Sequence, residues 1–142
     1  AVDFTGHGGL AAGVAHPGAH RRRMQAVERE QVAQRYTAAF AGKIRRVPKV
    51  IAGGQSVWAQ YVIEHDNRDG LQAHLSANGI PSMVYYPVPI HQQDFAARFA
   101  PPASSLPVTE TASRHVLALP MHPYLPHADQ DRVIDTVLGF NR

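Results

Sequence analysis

The chain has 142 residues, of which 44% are apolar and 18% are charged, enough for one domain with a packed core and not typical of global disorder. The net charge is +3, and all but two of the basic residues, Lys43 and Lys49, are arginines. The positive charge lies in two short clusters, residues 21–23 and 43–49, instead of a broad basic face with stacking aromatics, so we expect no nucleic-acid partner.

The first predicted element is a helix that follows an irregular start. Residues 1–20 are rich in glycine and have no periodic apolar face, which predicts a mobile or irregular segment. Helical periodicity begins near Arg22 and continues to about Ala41, where Gly42 can adopt the left-handed conformation that ends helices. Its buried face is marked by an apolar stripe with a spacing of four, formed by Val32, Tyr36 and Phe40. Met24 and Val27 extend this stripe loosely toward the start of the helix.

A strand and a second helix are predicted next. Residues 47–51 and a glycine turn lead into residues 56–63, where apolar side chains occupy both alternating sets, as in a strand half-buried on both faces. Either Asp66 or Asn67 can cap a helix over residues 68–78. Leu71 and Leu75 form the inward face of this helix.

The second half of the chain continues this alternation of strands and helices. A strand is predicted over residues 82–86, between flanking prolines, and a third strand over residues 116–119. Short helices are predicted over residues 94–99 and up to Arg114, the latter capped by Thr109 or Thr111, and a last helix over residues 126–138. The alternation predicts an α/β sandwich with helices on one side of the sheet.

Several kinds of chemistry are disfavoured by what the sequence lacks. Without cysteine there are no disulfides, thiolate metal sites or thiol nucleophiles. We expect no metal site, since Pro17 and Gly18 separate His16 from His20 and no H-E-x-x-H occurs. No G-x-S-x-G nucleophile elbow is present. No apolar run is long enough for a membrane span and no signal peptide is recognisable, so we expect no membrane association and a cytoplasmic location.

The strongest local signal is the segment 85–93, with the sequence YYPVPIHQQ. A strand that delivers Tyr85 and Tyr86 into a proline-stiffened loop, followed by His91, presents several polar groups with little conformational freedom. Such rigidity suits the binding of a polar ligand because less entropy is lost on binding. On the chemistry alone, a pair of core tyrosines with a surface histidine is an equal alternative.

A set of ordered motifs resembles the small domain of the DegT/DnrJ sugar aminotransferases. The resemblance extends over about residues 24–140, and the order of the motifs makes it more specific than any one of them. The matching segments are 56–63 (SVWAQYVI), 68–75 (RDGLQAHL), 79–81 (GIP), 85–93, 106–110 (LPVTE), 119–125 (LPMHPYL) and 129–133 (DQDRV).

The resemblance implies a fold and an activity. The fold is an α/β (α+β) two-layer sandwich with a small, mainly antiparallel sheet and helices on one face, as in the C-terminal domain of fold-type I aminotransferases. The activity is a pyridoxal-phosphate-dependent transfer of an amino group, usually from glutamate, to a nucleotide-linked keto sugar for lipopolysaccharide or other glycan biosynthesis. The complete enzyme is implied to be a homodimer. Tyr85, Tyr86 and His91 would line the sugar-nucleotide side of the cleft, and Gln93 would support the loop.

The sequence also departs from the family pattern. Complete members carry a large domain that holds the cofactor and the Schiff-base lysine, and Lys43 and Lys49 correspond to no such lysine. We therefore predict no catalytic residue, no bound pyridoxal phosphate and no activity for this chain alone. Residues 1–23 are predicted to be irregular or aberrant, and residues 24–142 to form the small domain. A stand-alone binding or assembly module that self-associates through an exposed apolar face is the alternative function.

Overall fold

The computed structural model describes residues 17–96, 98–99 and 106–140. In chain order these residues form α1 (Pro17–Phe40), β1 (Tyr61–Glu64), α2 (Arg68–Ala77), α3 (Pro107–His115), β2 (Val116–Leu119) and α4 (His127–Phe140). Two single-turn 3-10 helices, Ile90–Gln92 and Asp94–Ala96, precede α3. No helix within the described residues is long and apolar enough to cross a membrane.

Helix α1 starts earlier than the sequence pattern predicts. It begins at Pro17 instead of Arg22, and a proline is well tolerated in the first turn because its missing N–H has no intrahelical partner there. Residues 17–23 are therefore helical, which corrects the irregular structure expected for them. Residues 1–16 lie outside the described part of the chain, and the division at residue 24 stays a prediction.

The buried face of α1 begins at Val32. The side chains of Val32, Tyr36 and Phe40 are almost completely buried, which confirms the predicted stripe. Met24 and Val27 do not extend it into the core, since they are 50% and 54% exposed.

The sheet is antiparallel and small. Strand β1 pairs with β2 from Tyr61 opposite Leu119 to Glu64 opposite Val116. Single bridges widen it on both sides, between Arg46 and Glu64 beside β1 and between Met83 and Ala118 beside β2.

One predicted strand is shorter than the sequence pattern indicates, and another is reduced to a single bridge. In residues 56–63 only the last three are in β1, because Trp58 has a φ of +48°, which breaks the extended backbone. Residues 82–86 are not a strand: only Met83 pairs, through two backbone hydrogen bonds with Ala118. The prolines at positions 81 and 87 lack the N–H groups that a longer ladder would use.

Helices α1, α2 and α4 contribute to one core cluster on one face of the sheet. The strands supply Tyr61, Ile63, Leu117 and Leu119 to this cluster, and the helices supply Val32, Ala33, Tyr36, Phe40, Leu71, Leu75, Val133 and Val137. The predicted two-layer α/β (α+β) sandwich with a small antiparallel sheet is thus confirmed, as are the buried positions of Leu71 and Leu75.

The ends of α3 and of the preceding segment differ from the predictions. No side chain caps α3, so neither Thr109 nor Thr111 has the predicted role; Pro107 occupies the first turn instead. The helix predicted over residues 94–99 is a single 3-10 turn, Asp94–Ala96. The last helix is present and runs somewhat further than predicted, to Phe140.

Replacing Asn67 by alanine is expected to lower the free energy of unfolding by about 1 kcal/mol. The Asn67 side chain accepts a hydrogen bond from the Gly70 amide at 3.1 Å and so caps α2. Ser76→Ala, at an exposed position near the end of the same helix, is the control and should change stability by less than about 0.5 kcal/mol. Urea unfolding followed by circular dichroism measures both, and equal effects of the two substitutions would contradict the capping role.

Candidate functional site

The two tyrosines of the 85–93 segment lie at the surface. Tyr85 is 41% exposed and Tyr86 is 70% exposed, and their rings meet edge to face with centroids 5.9 Å apart. His91, in contrast, has a side chain only 7% exposed. The arrangement is the reverse of the alternative with core tyrosines and a surface histidine, so that alternative is wrong.

Local hydrogen bonds and prolines shape the loop behind the tyrosines. Pro89 is buried and its carbonyl accepts a hydrogen bond from the Gln92 amide at 2.9 Å. The Gln93 amide donates to the carbonyl of Ile90 at 3.1 Å. The Gln93 side chain donates to the carbonyl of Val88 at 3.3 Å, so it ties one end of the loop to the other.

His91 is paired with a residue that the sequence analysis did not single out. Its Nε2 lies 3.2 Å from Oε1 of Glu110, whose side chain is 17% exposed. Glu110 is the last residue of the LPVTE motif, which was the only signal for it in the sequence. Glu110 lies close to the 85–93 segment because α3, which carries it, packs beside that segment.

Tyr85 also borders a surface cleft of about 290 Å³ beside the outer edge of β2. Gln60, Met83 and Met121 line this cleft as well, and Met121 belongs to the LPMHPYL motif. Tyr86, His91 and Gln93 are not among its lining residues. The four predicted site residues therefore belong to one loop but do not line one cavity: the tyrosines face solvent and the other two hold the loop.

The surroundings of this loop carry several large apolar side chains in contact with solvent. Ile90 and Phe95 are both 68% exposed, Phe99 is 77% exposed and Val108 is 81% exposed. The loop and the first turn of α3 therefore both present apolar side chains to solvent.

Neither lysine has surroundings that fit pyridoxal phosphate. Lys43 and Lys49 are both exposed, whereas an amine that forms a Schiff base is activated by desolvation or by a neighbouring cation. Lys43 does border a cavity of about 500 Å³ that Arg45 also lines. Arg45 is committed there to Asp66 at 2.5 Å, and this hydrogen bond lowers the pKa of the Asp66 carboxyl. Neither exposed lysine therefore has the desolvated surroundings expected of a Schiff-base lysine.

The structure also bears on the metal and nucleic-acid alternatives. Across residues 17–96, 98–99 and 106–140, no group of three histidine, aspartate or glutamate side chains is arranged to hold a metal ion. In the second basic cluster, Arg45 and Arg46 both form ion pairs with Glu64, at 3.5 and 3.1 Å. These pairs reduce the positive potential that a nucleic-acid backbone requires.

Comparison with known proteins connects this geometry to one family. The model of the DegT/DnrJ/EryC1/StrS aminotransferase family matches residues 18–138. The chain is 37% identical over 110 residues to dTDP-3-amino-3,4,6-trideoxy-alpha-D-glucose transaminase of Streptomyces venezuelae, which covers 77% of this chain and 29% of the relative. It is 38% identical over 100 residues to UDP-2-acetamido-2-deoxy-3-oxo-D-glucuronate aminotransferase of Pseudomonas aeruginosa. This match covers 70% of this chain and 27% of the relative.

Solved structures show the same similarity. A DegT DnrJ EryC1 StrS aminotransferase from Brucella abortus superposes with a TM-score of 0.77 at 44% identity, covering 82% of this chain and 31% of that one. DesV of S. venezuelae, solved in complex with a ketimine intermediate, superposes with a TM-score of 0.81 at 34% identity. This superposition covers 84% of this chain and 33% of DesV. The chain thus spans about 30% of the length of the proteins that it matches.

Proposed function

Because this chain belongs to the DegT/DnrJ/EryC1/StrS aminotransferase family, we propose that it is the small domain of a pyridoxal-phosphate-dependent nucleotide-sugar aminotransferase. The complete enzyme would transfer an amino group from glutamate to a nucleotide-linked keto sugar. The observation that carries the proposal is the superposition of the described fold on about a third of DesV, at 34% identity. Sugar transaminases are also among the curated relatives.

The proposed role of the 85–93 loop is to contact the sugar nucleotide. Tyr85 and Tyr86 each offer a hydroxyl and an aromatic face to solvent, which suits a ligand with sugar hydroxyls and a base. His91 and Gln93 complete the proposed substrate-binding set, and their hydrogen bonds support a role in shaping the loop. A loop ordered before binding loses less entropy when the substrate arrives.

The proposed partners are a large domain and a second copy of the complete enzyme. The large domain would hold the pyridoxal phosphate and its Schiff-base lysine, since neither Lys43 nor Lys49 fits that role. The exposed side chains Ile90, Phe95 and Val108 support an apolar contact near the loop in the complete enzyme. The same exposure favours the alternative, a non-catalytic binding or assembly module, and sedimentation equilibrium tests the self-association that this alternative predicts.

Titration of this chain with pyridoxal phosphate is expected to give no stoichiometric adduct. Borohydride reduction followed by intact-mass analysis measures the adduct, because it converts any Schiff base to a stable secondary amine. A single adduct on Lys43 or Lys49 that turns over with glutamate would contradict the proposal, because it would identify that residue as the Schiff-base lysine. Labelling of both lysines to low and equal extents is the outcome expected of two exposed amines.

A chimera tests the proposed function directly. This chain would replace the matching part of the S. venezuelae transaminase, with which it is 37% identical, and the amination of that enzyme's own substrate would be measured. The chimera is expected to be active, and Tyr86→Ala should lower kcat/KM by about 30-fold, as loss of a buried aromatic contact worth about 2 kcal/mol implies. Val57→Ala, at another exposed position, is the control. A folded but inactive chimera would contradict the proposal.

A further inference from the structure

We propose that Glu110 is a positioning residue, which holds the 85–93 loop in its binding geometry through the hydrogen bond with His91. The inference rests on the proposed function for the role of the loop, but not for the contact itself. The pair joins residues 19 positions apart, from different elements, at 3.2 Å, with both side chains largely buried. A carboxylate oxygen can only accept, so the contact requires a proton on Nε2 of His91.

Glu110 is a firm anchor because its own helix fixes it. It lies in the first turn of α3, where the helix dipole stabilises a negative charge. Its amide donates to the carbonyl of Leu106 at 3.1 Å, and its carbonyl accepts from the Ser113 hydroxyl at 2.9 Å. Helix α3 packs against β1 and continues directly into β2, so the carboxylate is connected to the sheet.

The loop has few other connections to the domain. Among the described residues, the remaining hydrogen bonds of residues 87–93 are internal to the loop or lead to Ala96. Within the described part of the chain, the His91–Glu110 pair is therefore the hydrogen bond that connects the loop to α3. Because the His91 side chain is largely buried and its Nε2 faces Glu110, its proposed role is to hold the loop, while Tyr85 and Tyr86 present the exposed groups.

Hydrogen exchange of the Gln92 and Gln93 amides, followed by NMR on this chain, tests the proposal. Both amides are hydrogen-bonded inside the loop, so their exchange reports the opening of the loop. Glu110→Ala is expected to speed their exchange about tenfold, as loss of a hydrogen bond to a charged group implies. Glu110→Gln should retain most of the protection of the parent chain, because the amide oxygen also accepts a hydrogen bond. Thr109→Ala, at an exposed position on the same helix, is the control.

Three outcomes of this experiment would overturn the proposal. The first is unchanged loop exchange in Glu110→Ala. The second is an equal acceleration in α2, which would show that the substitution lowers global stability without releasing the loop. The third is exchange in Glu110→Gln as fast as in Glu110→Ala, which would speak against the hydrogen bond.

The chimera separates the positioning role from the proposed function. In an active chimera, Glu110→Ala is expected to raise KM for the nucleotide sugar about tenfold with little change in kcat, and Glu110→Gln to restore it. An unchanged KM together with a loosened loop would overturn the positioning role. An inactive parent chimera would count against the proposed function, while the exchange rates would still decide whether Glu110 holds the loop.

Discussion

Replacing Tyr36 by alanine is expected to lower the free energy of unfolding by about 3–5 kcal/mol, the range found when a large aromatic side chain is removed from a core. The Tyr36 ring is completely buried between Phe40 and Tyr61, with centroid distances of 5.8 and 5.2 Å. Its hydroxyl donates to the carbonyl of Pro120 at 3.1 Å, so the residue connects α1 to the end of β2. Alanine would leave a cavity, and an unpaired Pro120 carbonyl, where α1 meets β1 and the end of β2.

Two matched variants separate the contributions to this loss. Tyr36→Phe keeps the ring and removes only the hydrogen bond, so it should cost about 1 kcal/mol. Met24→Ala, at a half-exposed position on the same helix, should cost less than about 0.5 kcal/mol. Urea unfolding monitored by circular dichroism measures all three. If Tyr36→Ala were no more destabilising than Met24→Ala, α1 would not be packed on the sheet as described.

The protein is expected to lose stability as the pH rises above about 10, and the buried tyrosines contribute to this loss. Burial raises the pKa of Tyr36 far above its ordinary value of 10, and the neighbouring Tyr61 raises it further. Burial also raises the pKa of Tyr61, partly offset by its hydrogen bond with Thr37. Above pH 10 the tyrosines of the unfolded chain lose protons that the folded state retains. The unfolded state then binds fewer protons, so the free energy of unfolding falls with rising pH.

Replacing both Tyr36 and Tyr61 by phenylalanine removes the contribution of the buried tyrosines to the loss of stability at high pH. The Tyr36→Phe/Tyr61→Phe variant is expected to lose less stability than the parent chain between pH 9 and pH 11, roughly one unit on either side of the ordinary tyrosine pKa. Thr37→Val provides a control of opposite sign, because it removes the hydrogen bond that lowers the pKa of Tyr61 and should steepen the loss. Urea midpoints across this pH range measure the slopes. Parallel slopes for all three proteins would contradict the assignment.

Much of the fold was predictable because local patterns and packing agree. The spacing of Val32, Tyr36 and Phe40 predicts the buried face of α1, and the apolar run at residues 116–119 predicts β2. Asn67 was one of the two residues predicted to cap α2. In each case a short stretch of sequence contains both the propensity and the contact that stabilises the element.

The predictions fail where a distant contact overrides the local pattern. The alternation of residues 56–63 continues through Trp58, yet Trp58 adopts a positive φ and its indole N–H donates to Glu30 of α1 at 2.5 Å. A pattern of period two does not indicate that a side chain 28 positions away will accept a hydrogen bond. The strand predicted over residues 82–86 fails in a related way, since pairing depends on the neighbouring segment and only Met83 pairs with β2.

The sequence by itself determined the family, the polar loop around Tyr85 and Tyr86, and the central buried positions of two helices: Val32, Tyr36, Phe40, Leu71 and Leu75. Only the tertiary structure decided how the groups of that loop are placed and which partners they contact. It left both tyrosines at the surface, and it brought His91 against Glu110, 19 residues further along the chain. The physical reason is that residue type and spacing set burial tendency and local conformation, whereas the partner of a side chain depends on how whole elements pack. The pairing of His91 exists because α3 lies beside the loop, and no local pattern in residues 85–93 indicates it.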